Sequence, residues 1–129
     1  MRILLVEDNL LVAHVGRKVL EDKGDVTLVG SGEEAIKSLQ EGWTNQPFDL
    51  VFLDIGLPGI SGPETLVELR RLEAEEARPK ALVIMLTGSE DRELINRCFE
   101  TGCDYYLVKP LSKEKVASSF SNLKLDPPQ

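Results

Sequence analysis

Five short apolar runs alternate with five stretches of helical periodicity, and no other feature of this chain restricts its fold as much. The runs lie near residues 2–6, 25–30, 48–53, 81–86 and 103–108, and the helical stretches near 9–23, 32–41, 63–77, 91–101 and 112–124. Ile3-Leu4-Leu5-Val6, Leu50-Val51-Phe52-Leu53 and Leu82-Val83-Ile84-Met85-Leu86 are almost unbroken in aliphatic residues. A strand wetted on one side alternates apolar and polar residues, whereas one buried on both sides does not, and burial on both sides is the habit of parallel strands covered by helices. Strict strand–helix alternation with right-handed crossovers then gives a doubly wound α/β domain with a parallel sheet.

The punctuation between elements agrees. Gly24 and Gly102 stand where a helix ends in a left-handed residue. Ser31 and Glu34 have capping-box spacing, Pro63 suits a first helical turn, and Ser112 is an N-cap for the last helix. Val116, Phe120 and Leu123 form an inward stripe on the fifth helix, and Leu94, Ile95, Cys98 and Phe99 do the same on the fourth. Trp43 falls in a connection over 42–47, where it reads as a lid on the core rather than a partner anchor. Residues 1–125 read as one domain. Asp126-Pro127-Pro128-Gln129 form a short tail that cannot continue a helix.

Net charge is −7, which opposes direct nucleic-acid binding, since that requires a basic footprint. No apolar run approaches the roughly 20 residues that span a bilayer. The run after Met1-Arg2 reads as a strand rather than a leader. Cys98 and Cys103 lack Cys-x-x-Cys spacing and read as free thiols, so the expected location is the cytoplasm.

The chemistry collects at the ends of the apolar runs. Glu7-Asp8 follow the first, Asp54 the third, Thr87 the fourth and Lys109-Pro110 the fifth. In a parallel sheet these ends share one edge, where open α/β folds place their ligands. Each residue alone is ordinary: Asp8 or Asn9 could cap the first helix, and a strand-end Asp54 could cap a loop. Together, three carboxylates suit a hard divalent cation such as Mg²⁺. Asp54 is the candidate nucleophile, because carboxylates can form an acyl phosphate. The Thr87 hydroxyl can donate to a phosphoryl oxygen, Gly88 leaves room for it, and Lys109 pairs with its charge. His14 stands isolated on the first helix and reads as a surface or packing residue.

Four segments in this order resemble the receiver domain of two-component response regulators and hybrid histidine kinases: Ile3-Leu4-Leu5-Val6-Glu7-Asp8-Asn9, Asp49 through Gly62, Leu86-Thr87-Gly88, and Gly102 through Pro110. The resemblance implies a flavodoxin-like sheet in the order 2-1-3-4-5. It implies that Asp54 accepts a phosphoryl group from a phosphohistidine on a sensor kinase or histidine phosphotransfer protein. Asp8, Asp54 and the Gly56 carbonyl would hold Mg²⁺, with Glu7 acting through a metal-bound water. Lys109 and Thr87 would engage the phosphoryl group, and the Lys109-Pro110 bond would be cis. Thr87 and Tyr106 would form the switch that changes the surface of the fourth helix, fifth strand and fifth helix. Glu93, Asn96, Arg97, Glu100, Lys115 and Ser119 are candidates for that partner surface. Such a domain is a phosphoacceptor that assists its own phosphorylation and dephosphorylation rather than an enzyme. Leu57 and Gly88 stand where the family often has Met and Ala, without loss of a functional atom.

Rival chemistries fit less well. A haloacid-dehalogenase-type phosphatase uses a similar set around Mg²⁺, but that family resembles Asp-x-Asp on its first strand, and Asp54-Ile55-Gly56 lacks the second acid. A flavin carrier would need a hydroxyl- or glycine-rich phosphate loop where Glu7-Asp8-Asn9 stand. A receiver that only docks proteins would not need the complete acceptor set.

Overall fold

The computed structural model describes residues 1–125. The elements alternate without exception: β1 (Arg2–Val6), α1 (Leu10–Leu20), β2 (Asp25–Val29), α2 (Gly32–Trp43), β3 (Leu50–Asp54), α3 (Gly62–Glu75), β4 (Leu82–Thr87), α4 (Arg92–Thr101), β5 (Tyr105–Val108) and α5 (Lys113–Asn122). The strands form one parallel sheet in the order β2-β1-β3-β4-β5, the doubly wound arrangement expected from the sequence. No helix of the described residues is long and apolar enough to cross a membrane. The 126–129 tail lies outside the described residues.

Side chains alternate across the sheet and build two cores. Leu4, Val6, Val51, Leu53, Val83 and Met85 pack under Ala35 and Leu39 of α2, Leu66 and Leu69 of α3 and Cys98 of α4. Ile3, Leu5, Leu50, Phe52, Ile84 and Leu86 pack under Leu20 of α1 and Val116 and Phe120 of α5. Both faces of β1, β3 and β4 are dry, which is why their sequences run without polar interruption.

Several local expectations are revised. β3 and β4 each extend one residue further than their apolar runs, so Asp54 and Thr87 are ladder residues paired with Leu86 and Val108. Trp43 is the last residue of α2 rather than a loop residue; it is half-buried beneath the Arg78 guanidinium, whose centre stands 5.6 Å from the ring. Gly24 is not left-handed, since positive φ among the described glycines is confined to Gly59 and Gly102. Its hydrogen matters for another reason: a Cβ there would stand 2.2 Å from the Met1 carbonyl oxygen. Ser31 caps α2, but the Glu34 carboxylate reaches back to the Gly30 N–H rather than to Ser31. The reciprocal capping box belongs to Ser61 and Glu64 at the head of α3. Ile95 and Cys98 are buried, whereas Phe99 is 41% exposed and meets Tyr106 edge-on.

One buried polar network fastens the far end of the sheet. The Arg70 guanidinium donates to the carbonyls of Gly102 and Ala81 and to the carboxylates of Glu73 and Asp104. Those carboxylates also accept the backbone N–H groups of Ala81 and Val83. Every charge is paired and hydrogen-bonded, the condition under which buried ions are tolerated.

Candidate functional site

The residues at the carboxyl edge converge because of strand parity. Along β1, β3 and β5 the side chains of Leu5, Phe52 and Leu107 face α1 and α5. Two positions further along, Glu7, Asp54 and Lys109 point the same way. Thr87 follows Met85 and Tyr106 falls beside it, on the opposite face under α4. One edge therefore carries an ionic cluster toward α1 and a hydroxyl–aromatic pair toward α4.

The Lys109 ammonium donates to Glu7 Oε2 at 2.9 Å and to Asp54 Oδ2 at 2.8 Å. Glu7 and Asp54 are only 5% and 4% exposed. Their second oxygens are also held: the Asn9 N–H donates to Glu7 Oε1 at 3.2 Å and the Gly56 N–H to Asp54 Oδ1 at 3.0 Å. Asp8 is exposed at the mouth, while Asn9 rather than Asp8 caps α1. Carboxylate oxygens of Glu7, Asp8 and Asp54 lie within 4.8 Å of one another. One ammonium against three carboxylates leaves the cluster net negative, and an all-oxygen donor set of that charge fits a hard divalent ion. The Lys109-Pro110 bond is cis.

The titration behaviour follows from this crowding. Burial, then the neighbouring Asp54 carboxyl, pushes the Glu7 carboxyl above the ordinary carboxylate range, against the opposing pull of Lys109. Burial draws the Lys109 ammonium down, but its bonds to Asp54 and Glu7 outweigh that and leave it raised. A carboxyl with a raised folded pKa binds its proton more tightly in the native state. Its contribution is therefore present below the unfolded value and is lost as pH rises through the folded one. We expect Glu7→Gln to stabilise the protein in EDTA near neutral pH and to lose that advantage as pH falls through the raised Glu7 pKa. Urea melts of both proteins across that window check it, and a difference independent of pH would refute it.

Thr87 Oγ1 donates to the Ser89 carbonyl at 2.7 Å, so its hydroxyl points along the β4–α4 loop. Tyr106 is half-buried and stacks on Tyr105, whose hydroxyl accepts from Asn122 at 2.7 Å. Of the candidate partner-surface residues, Glu93, Asn96, Arg97 and Glu100 are exposed on α4. Two others are not available for docking: Ser119 is buried and donates to the Val116 carbonyl, and the Lys115 ammonium folds back onto loop carbonyls. His14 is exposed.

An apolar face on α1 did not emerge from the sequence. Ala13, Gly16 and Leu20 fill the inward stripe, leaving Leu10 and Leu11 at 77% and 75% exposure with Val12 and Val15 beside them. Leu11, Val12, Val15, Leu86, Pro110 and Leu111 line a cavity of about 230 Å³ that opens next to Glu7 and Lys109. The available signal was an excess of aliphatic residues on a helix whose inward stripe was already filled.

The family model of the response regulator receiver domain matches residues 3–121. The transcriptional regulatory protein AruR of Pseudomonas aeruginosa is 35% identical over 126 residues, covering 95% of this chain and 48% of that protein. The sensor protein GacS of Pseudomonas syringae is 32% identical over 121 residues, covering 90% of this chain and 12% of that protein. The chain thus spans about half the length of one relative and a small part of the other. The receiver domain of the sensor histidine kinase PA1611 of Pseudomonas aeruginosa, solved with a magnesium ion in its active-site cleft, is 28% identical with a TM-score of 0.77, covering 94% of each chain.

Proposed function

Because this chain belongs to the family of response regulator receiver domains, we propose that its phosphoacceptor is Asp54, charged by a phosphohistidine of a sensor kinase or phosphotransfer protein. The observation that carries this reading is the convergence of Glu7, Asp8 and Asp54 within 4.8 Å, with Lys109 bonded to two of them. An Asp54 oxygen attacks phosphorus, the P–N bond breaks as the P–O bond forms, and the electron pair leaves with the imidazole, which takes up a proton. Asp8, Asp54 and the Gly56 carbonyl would hold Mg²⁺, with Glu7, already bonded to Lys109 and Asn9, acting through a metal-bound water; the proximity of the three carboxylates supports this. Bound there, Mg²⁺ supplies the positive charge that lets an anionic phosphoryl group approach three acids. Lys109 donates to Asp54 at 2.8 Å and can follow the charge onto a phosphoryl oxygen. Thr87 would release the Ser89 carbonyl to donate to the same group, vacating space on the α4 face that Tyr106 shares. The α4–β5–α5 surface then carries the altered state, a local charge event biasing a two-state element.

Intact mass after treatment with acetyl phosphate and Mg²⁺ tests the reading. The expected result is one phosphoryl adduct that EDTA prevents; no adduct would refute it.

The exposed α1 face supports a protein phosphodonor, because it borders the cavity beside Lys109 and would bring an apolar helix surface against the acceptor. Leu11→Asp is expected to slow transfer from a phosphorylated histidine protein by about tenfold or more, a typical cost for an interface anchor. Its rate with acetyl phosphate, which needs no docking, is expected to stay within about twofold. Equal slowing of both donors would show damage to the site instead.

A further inference from the structure

Lys115 lies in the first turn of α5, where a basic side chain is disfavoured by the helix dipole. Its backbone N–H donates to the Ser112 cap at 3.2 Å, which fixes its root. Its ammonium turns back across the β5–α5 loop and donates to the Val108 carbonyl at 2.8 Å and the Pro110 carbonyl at 3.0 Å. Those carbonyls flank Lys109. On the amino side, Lys109 is held by its N–H bond to the Thr87 carbonyl at 2.7 Å. On the other side stands Pro110, which has no N–H with which to anchor the loop. The ammonium of Lys115 bridges that step.

We infer that Lys115 is a positioning residue for phosphoryl transfer: by bridging the Val108 and Pro110 carbonyls it fixes the backbone that carries Lys109 and so aims the Lys109 ammonium at Asp54. The inference rests on the phosphoacceptor reading above. Lys109 reaches Asp54 at 2.8 Å and Glu7 at 2.9 Å on a flexible four-carbon stem, so a backbone held at its root narrows the positions its ammonium samples. A small displacement of such a group is costly in rate without removing any functional atom. Lys115 touches neither Asp54 nor any incoming group; it acts through Lys109.

The test follows adduct formation on the full chain with acetyl phosphate and Mg²⁺, which removes any contribution of Lys115 to protein docking. Lys115→Met keeps the apolar stem and loses the donors. It is expected to lower the maximal rate by about tenfold, with the half-saturating acetyl phosphate concentration unchanged and the melting temperature within a few degrees. Lys115→Arg keeps donors and is expected to restore most of the rate. Lys113→Met removes the same charge from an exposed lysine nearby, whose ammonium is 3.6 Å from Asp22, and is expected to react like the parent protein. An unchanged rate in Lys115→Met, or equal slowing in Lys113→Met, would overturn the inference while leaving Asp54 as acceptor. If the parent protein takes no phosphoryl group, the phosphoacceptor reading falls, and the Lys109 side-chain ammonium resonance decides the positioning role. That signal, identified by its loss in Lys109→Met, shifts in Lys115→Met if Lys115 aims it and stays in place if it does not.

Discussion

Asp54→Asn is expected to form no phosphoryl adduct under conditions that fully label the parent protein, and to do so while remaining folded. The two halves of this result have separate causes. An amide oxygen is not a competent nucleophile here, so the loss of acceptance is complete rather than graded. The amide is nevertheless the shape of the carboxylate it replaces. Its carbonyl can still accept the Gly56 N–H, now 3.0 Å from Asp54 Oδ1, or the Lys109 ammonium. Its NH₂ can donate to Glu7, which is otherwise forced to share a lysine with a second acid. Removing one of three crowded carboxylates should therefore stabilise the metal-free protein, because two like-charge contacts are relieved while one attraction to Lys109 is lost. The same change should weaken Mg²⁺ retention by at least about tenfold, since one charge of the donor set is gone. Intact mass, urea denaturation in EDTA and Mg²⁺ titration read the three effects. An adduct of undiminished mass in Asp54→Asn would move the acceptor elsewhere.

The site was legible in the sequence because parallel sheets align strand ends, and side-chain parity is conserved along each strand. Glu7, Asp54 and Lys109 sit two positions beyond Leu5, Phe52 and Leu107, so the apolar runs themselves specify a common face. Thr87 and Tyr106 were separable from that set by the same counting. The features that escaped have no comparable period. Arg70 gathers Glu73 from its own helix, Ala81 from before β4, and Gly102 and Asp104 from the α4–β5 connection, and beyond the i, i+3 pair no spacing announces contacts set only by how helices lie on the sheet. Gly24 looked like a helix terminator because glycine commonly ends helices, but the Met1 carbonyl, not a left-handed turn, is what excludes a side chain. Lys115 was a candidate for the partner surface because helical periodicity says which way a residue leaves the axis and nothing about where a long stem bends back. The exposed aliphatics of α1 escaped because helical spacing does not say which apolar face of a helix the sheet covers.

Phe52→Ala is expected to cost about 3–5 kcal/mol, the largest loss of stability from any single truncation considered for this chain. Phe52 is fully buried on β3, the middle strand of five, among Ile84, Leu5 and the underside of α1 and α5. It stands two residues below Asp54 on the same face, so it supports Asp54 from beneath. Removing the ring leaves a cavity that fixed strands on both sides cannot close, which adds to the lost transfer energy. Against a total stability of about 5–15 kcal/mol, the variant approaches the limit of folding. Phe99 is the internal control: it has the same side chain, is 41% exposed, and meets Tyr106 only edge-on. Its truncation should cost no more than about 1 kcal/mol. Urea denaturation followed by the fluorescence of the single tryptophan, Trp43 at the end of α2, reports on both without a label. With a slope of about 1–3 kcal/mol per molar urea, Phe52→Ala should lower the midpoint by about 2 M and Phe99→Ala by no more than about 0.5 M. Equal shifts would mean that the ring on α4 is as enclosed as the one on β3, and that the face carrying Phe99 and Tyr106 is not free to change when Asp54 does.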